Sequence, residues 1–300
     1  MLPHDNQAIE CVPNFSEGRD AAVIEAIATS IRDVEGVCLR HVDAGAGANR
    51  TVYTFTGSPQ AVCEAAFQAT RTASQRIDMR LHHGAHPRIG ATDVLPLIPL
   101  NNISLQQTAQ IATQLARRIA DDLHIPIFLY EAASPTHRRL EQCRKGEYEG
   151  LPQRIDEADL GPRQWSEHTA RTGATVVGAR NFLLAVNFNL NTPSADIATA
   201  IARELRTSGY RGRPGLLPAT KAIGWYIPEY GVAQVSMNLC DLSLTPLHRA
   251  WQACREAAQR HGVQVTGTEI IGLVPGEQLQ LAERAGCLQQ LNLNPPPIVL

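Results

Sequence analysis

Residues 81–93 read LHHGAHPRIGATD, which places three histidines, an arginine, two glycines and an aspartate within 13 positions. Imidazole changes charge near neutral pH, so such a cluster suits proton transfer. A metal site would draw on His82 and His86 with Asp43 or Asp93 as an acidic third ligand. Gly84 and Pro87 weaken that reading, because a His-x3-His pair grips a metal best on one helical turn. Histidines hydrogen-bonded only to their own loop are the plain structural alternative. Three further segments offer chemistry. In HVDAGAGANR (41–50), Asp43 closes a strand, two glycines follow and Arg50 opens the next strand. The spacing is not GxGxxG and no helix follows, so a dinucleotide site is not supported. Asp43 and Arg50 are then either substrate groups or a hairpin ion pair. In TGATVVGARNF (172–182), Gly173 and Gly178 flank a short apolar run before Arg180. The Arg180 guanidinium offers a planar fork for a carboxylate, or it is a solvated residue beside a tight turn. In CVPNFSEG (11–18), Asn14, Ser16 and Glu17 follow a strand. They either face a substrate or, as Ser16 or Asn14, cap the next helix.

The elements that position these residues follow from hydrophobic period. Strands are expected at 9–15, 36–43, 51–56, 93–99 and 125–131, and helices at 22–31, 61–74 and 105–123. The first six elements run β-α-β-β-α-β. The same order recurs with strands at 182–189, 220–226, 232–239 and 263–268 and helices at 194–206 and 246–261. A turn at Glu229-Tyr230-Gly231 separates the middle pair. Each half therefore reads as a split βαβ, or ferredoxin-like, unit. The expected class is α+β, with two tandem ferredoxin-like (βαββαβ) subdomains, 1–181 and 182–300, and a cleft between their sheets. The polar stretch 154–172 reads as a linker, with a loop covering the cleft as the other option. Pro295-Pro296-Pro297 reads as an extended tail.

The chain has 300 residues, a formal net charge of −2, 44% hydrophobic and 19% charged residues. That balance fits a globular protein and argues against a basic nucleic-acid-coating face. No apolar run approaches the roughly 20 residues that span a bilayer, and the first ten residues lack the pattern of a secretory signal. Seven cysteines, an odd number without CxxC, read as buried thiols in a reducing compartment, hence the cytoplasm. Lys145 and Lys221 are the only lysines, so arginine carries nearly all the positive charge.

Taken together, the segments resemble the glutamate formimidoyltransferase family. The likeness rests on ECVPNFSEGRD (10–20), VDAGAGANRTVYTFTG (42–57), IDM (77–79), HGAHPRIGATDVLPLIP (83–99) and KGEYEGLP (145–152). It continues through GATVVGARNFLLAVNFNL (173–190), AIGWYIPE (222–229), AQVSMNL (233–239) and GTEIIGLVP (267–275). The resemblance implies transfer of a formimidoyl group from N-formimidoyl-L-glutamate to N5 of tetrahydrofolate, the co-substrate, in histidine degradation and one-carbon metabolism. It implies His86 of the His-Pro-Arg motif as the catalytic group. Substrate contacts are expected from Asp43, Arg50, Arg88, Arg180 and His82. A folate-contacting segment is expected from Gly161-Pro162 to Gly173, including Ser166, His168 and Thr172. No metal is expected, partners are the two small molecules rather than nucleic acid or membrane, and the family implies a homodimer. Animal members carry a further cyclodeaminase domain that this chain does not reach, so that activity is expected to be absent. Two departures stand out: 161–173 is a few residues longer than in animal members, and Ala85 replaces an acidic residue common before the motif histidine.

Competing functions are an ATP-using 5-formyltetrahydrofolate cyclo-ligase, weakened by the lack of a Walker-type loop, a metal-dependent hydrolase on His82, His86 and Asp93, and a non-catalytic folate-binding module.

Overall fold

The computed structural model describes residues 7–84, 86–227 and 230–299. The chain's first six residues, Ala85 and Glu229 of the expected turn lie outside the described residues. The architecture is mixed α+β, in two compact units, Met1–Asn181 and Phe182–Leu300.

The first unit begins with β1 (Ala8–Cys11) and β2 (Asn14–Phe15), helix α1 (Ala21–Arg32), β3 (Val37–Gly45), β4 (Arg50–Gly57), α2 (Pro59–Arg76) and β5 (Thr92–Asn101). It continues through α3 (Leu105–Leu123), β6 (Ile127–Glu131), the short helices α4 (Leu140–Cys143), α5 (Glu147–Gly150) and α6 (Glu167–Thr172), and β7 (Thr175–Ala179). These strands form one seven-stranded sheet. β1 and β2 both lie between β4 and β5, as one strand interrupted at Val12-Pro13, where proline has no N–H to give the ladder. β3 flanks β4 on one side, and β7 then β6 continue in parallel beyond β5.

The strand β7 is absent from the sequence reading, which offered a tight turn there. The run Thr175–Ala179 is buried along its whole length, as expected of a parallel strand covered on both faces, and such a run carries no alternation to reveal it. One face of the sheet packs Ile9, Cys11, Phe15, Phe55, Leu95 and Leu97 against α1, α2 and α3. At the β5–β7–β6 end, the other face packs Val94, Val176, Phe128 and Tyr130 under Cys143, Leu151, Ile155 and Trp165.

Residues 154–172 are therefore no free linker. Ile155, Ala158, Thr169 and Thr172 are buried within the first unit, and the Ile127 amide bonds the Leu160 carbonyl at 3.0 Å. The cap of α1 is also reassigned: Asp20, not Ser16 or Asn14, accepts from the Ala22 and Val23 amides.

The second unit contains β8 (Leu184–Leu190), α7 (Ala195–Leu205), β9 (Thr220–Ile227), β10 (Val232–Leu239), α8 (Leu247–Arg260) and β11 (Val265–Ile271). Its four-stranded sheet has the order β11-β8-β10-β9 with every pair antiparallel. Alternate residues Leu184, Val186, Phe188 and Leu190 meet Ile201, Leu205, Trp251 and Cys254 of the helices. β12 (Leu273–Val274) and α9 (Gly276–Arg284) follow, elements the periodicity did not reveal. Beyond the expected extended tail at Pro295-Pro296-Pro297, the chain enters β13 (Ile298–Val299), paired in parallel with β12. The cysteines are all free, but Cys38 is exposed and Cys63 and Cys240 are half-buried, so burial holds for only part of the set.

Among the described residues no helix is long and apolar enough to cross a membrane.

Candidate active site

The strands β2, β4 and β5 bring Asn14, Arg50 and Asp93 together, since Asn14 lies opposite both Val52 and Val94. Arg50 donates from Nη1 to Asp93 Oδ2 at 2.6 Å and from Nε to Asn14 Oδ1 at 3.0 Å. Arg144, just after α4, donates from Nε to Asp93 Oδ1 at 3.3 Å and from Nη2 to Asp93 Oδ2. The Ile89 amide adds a bond to Oδ1 at 2.9 Å. The Asp93 side chain is fully buried, and the Arg50 and Arg144 side chains are 8% and 14% exposed. Burial alone raises the Asp93 pKa, but the two guanidiniums outweigh it and hold the carboxyl below its usual range. Burial pulls the Arg50 pKa down, with Arg144 adding to the fall and Asp93 opposing it.

His86 precedes this centre in the loop. Its Nδ1 lies 2.7 Å from the Pro87 carbonyl oxygen. A carbonyl only accepts, so Nδ1 carries the proton and the neutral ring keeps an unprotonated Nε2. Burial lowers the pKa of His86, Arg50 and Arg144 lower it further, and the Pro87 carbonyl and Asp93 oppose them. The half-buried ring is thus a neutral base at pH 7.

The loop is held from several sides. His82 is buried, with Nε2 2.8 Å from the Asn49 carbonyl and Nδ1 accepting from Arg88 Nε at 3.2 Å. Arg88 gives Nη1 to Glu147 at 3.2 Å and to Glu149 at 2.8 Å, and Nη2 to Glu149 at 2.7 Å and to the His82 carbonyl at 3.3 Å. Both His82 nitrogens and all five Arg88 donors are thereby engaged with protein groups. Beside them a shallow pocket of about 450 Å³ is lined by His83, Gly84, Arg88, Gly146, Glu147 and Glu149. Further along, Ser16 Oγ donates to the Gly90 carbonyl at 2.7 Å. Gly90 bridges Gly173, and a Cβ on either would come within about 2.2 Å of a backbone oxygen, so only glycine fits at both positions.

Other expected residues make no hydrogen bond to His86. Asp43 is exposed on β3 opposite Val52, and its carboxylate makes no hydrogen bond among the described residues. Arg180 is half-buried, donating from Nη1 to the Asn181 carbonyl at 3.0 Å. It lies close enough to Glu10 to act on that carboxyl, which burial raises to about 7 while Arg180 opposes the rise. In the segment proposed for folate, Gly161 has φ +78°, and Pro162 follows it half-buried. Ser166 caps α6 by accepting from the Thr169 amide. His168 Nε2 bonds the Leu123 carbonyl at 2.9 Å, and Thr172 Oγ1 donates to the His168 carbonyl at 3.1 Å.

Among the described residues, no group of three or more His, Cys, Asp or Glu side chains is placed to hold a metal ion. The metal reading of His82 and Asp93 meets donor atoms already committed to Asn49, Arg88, Arg50 and Arg144.

Sequence reasoning missed Arg144, Glu147, Glu149 and Glu10 as members of this polar region. The carboxylates lay in KGEYEGLP and ECVPNF, but neither stretch says which arginine they will meet, and nothing singled out Arg144 among the many arginines.

A chain of mixed α+β units with this His-Pro-Arg loop can be set beside known families. The formiminotransferase domain, N-terminal subdomain, matches residues 8–180, and the formiminotransferase domain matches residues 185–289. The chain belongs to the formiminotransferase family. It is 46% identical over 278 residues to a formimidoyltransferase-cyclodeaminase of Rattus norvegicus, covering 90% of this chain and 50% of that protein. It is 43% identical over 285 residues to one of Dictyostelium discoideum, covering 92% and 52%. A glutamate formimidoyltransferase of Streptococcus pyogenes serotype M1 is 43% identical over 274 residues, covering 90% of each chain. The chain thus spans about half the length of the first two relatives.

Proposed function

We propose that this protein transfers the formimidoyl group of N-formimidoyl-L-glutamate to N5 of tetrahydrofolate, releasing L-glutamate, in histidine degradation. The observation that carries the reading is the His86 tautomer: a neutral ring whose Nε2 is free of its proton, beside two arginines. The folate N5 attacks the formimidoyl carbon and a tetrahedral intermediate forms. His86 Nε2 takes the proton that N5 must lose, then gives it to the departing glutamate nitrogen as the carbon–nitrogen bond breaks. Holding both substrates together removes much of the entropic barrier.

Arg50 and Arg180 serve the glutamate carboxylates, and Asp43 receives the formimidoyl cation. Arg88 and His82 hold the loop, since their donors are spent on protein partners. The folate segment is 161–173, with Gly161, Pro162, Ser166, His168, Thr172 and Gly173. The proposal includes tetrahydrofolate as co-substrate, a homodimer and a cytoplasmic location, the last supported by the seven free cysteines. It also reads each unit as ferredoxin-like. The order β11-β8-β10-β9 supports this for the second unit, as does β3-β4-(β1, β2)-β5 for the first, which carries β7 and β6 as an extension.

The test is direct. Purified protein mixed with formimidoylglutamate and tetrahydrofolate, without ATP or added metal, is expected to form 5-formimidoyltetrahydrofolate. Absence of that product, or product only with ATP, rejects the reading.

A further inference from the structure

Asp93 is a single buried carboxylate shared by two guanidiniums, so the Arg50–Asp93–Arg144 group carries one positive charge in excess. Burying a charge without a partner is costly, so an anion that pairs with the excess positive charge is favoured there. The remaining donors are in place for it. Arg50 uses Nε on Asn14 and Nη1 on Asp93, and Arg144 uses Nε and Nη2 on Asp93. That leaves Arg50 Nη2 and Arg144 Nη1 without a hydrogen-bond partner among the described residues. Both arginines and Asp93 act electrostatically on His86, so the excess charge lies next to the proposed base.

We propose that Arg144 pairs with Arg50 as a two-guanidinium receptor for one carboxylate of formimidoylglutamate, and that Asp93 is the positioning residue that sets the two side by side. This rests on the formimidoyl-transfer reading and names a substrate-binding residue it did not contain. Two guanidiniums clamped on one carboxylate present their free N–H groups from fixed positions, so little side-chain entropy is lost when the substrate carboxylate arrives. The receptor then holds the formimidoyl carbon in reach of His86 rather than serving as a general anion site.

Steady-state kinetics on the full chain, with formimidoylglutamate and its two monoamides as donors, test this. The wild type is expected to use one monoamide far less well than the diacid. Arg144→Met is expected to raise KM for formimidoylglutamate at least about tenfold, leave KM for tetrahydrofolate within about threefold, and erase the penalty on that monoamide. Arg144→Lys, which keeps the charge, is expected to restore part of the donor KM. Asp93→Glu, which keeps the charge but moves it, is expected to raise donor KM while leaving KM for tetrahydrofolate within about threefold. An unchanged donor KM in Arg144→Met overturns the inference, and so does an equal rise for both substrates. If Arg144→Met does not fold, the unaltered protein still decides: equal use of both monoamides and the diacid means that no carboxylate receptor exists. Failure of the wild type to transfer at all overturns the formimidoyl-transfer reading, and the inference falls with it. Transfer with normal donor discrimination in the variants overturns only the inference.

Discussion

The two units share an element order, yet they bury different chemistry. In the first, Glu10, Arg50, His82, Arg88 and Asp93 are all buried. In the second, the buried polar side chains among the described residues are neutral: Asn187, Thr220, Gln234, Thr245, Thr268 and Gln278. Gln234 is satisfied within the second unit, donating to Asn189 at 2.6 Å and accepting from Trp225 at 3.1 Å. A neutral amide loses little when its hydrogen bonds are made within the protein, whereas a buried ion loses much unless it is paired. The first unit accepts that cost mostly around the loop that carries His82, His86 and Arg88. Similar topology therefore does not imply equal burden: one unit holds a buried charged centre, and the buried polar side chains of the other, among the described residues, are neutral.

Substitutions can break this contrast. Asp93→Asn keeps the shape but leaves two buried guanidiniums without a counter-charge, and should cost about 3–5 kcal/mol, read as a lowered denaturation midpoint in urea. A loss near zero would show that the centre is solvated. His86→Ala should cut kcat by roughly a hundredfold or more with the melting temperature nearly unchanged. An unaltered kcat would remove His86 from proton transfer. The pH dependence sharpens the same point. Burial and the two arginines depress the His86 pKa, so the ring stays neutral until the pH falls below its ordinary value of 6.5. Turnover should be flat from pH 8 to 7 and decline on acidification with an inflection below 6.5, and that inflection should vanish in His86→Ala. An inflection above 6.5 would contradict the assigned environment. The smallest effect is expected in the second unit: Gln234→Ala should cost about 1–2 kcal/mol and leave kcat within about twofold.

Much of the fold was legible from residue order. The helix Leu105–Leu123 and the strand Val232–Leu239 match their periodic patterns end to end. β7 was not legible, because a strand buried on both faces has no alternation, and a run of five residues between glycines also suits a turn. The segment 154–172 looked like a linker because its buried residues, Ile155, Ala158, Thr169 and Thr172, are too sparse for any period. At the site, the composition of 81–93 pointed to a histidine cluster, and the family resemblance singled out His86. The partners of its arginines were hidden, since Arg88 meets carboxylates 59 and 61 positions away, and Asp93 meets Arg144 across 51.

Local sequence alone determined where most strands and long helices run and which loop gathers histidines. Those properties depend on neighbours within a few positions, where backbone preference and side-chain period act. Only the tertiary structure decided which buried ions meet, which tautomer His86 adopts and which guanidinium nitrogens stay open. Pairing of charges inside a protein is set by distances in space, and chain separation places no limit on it.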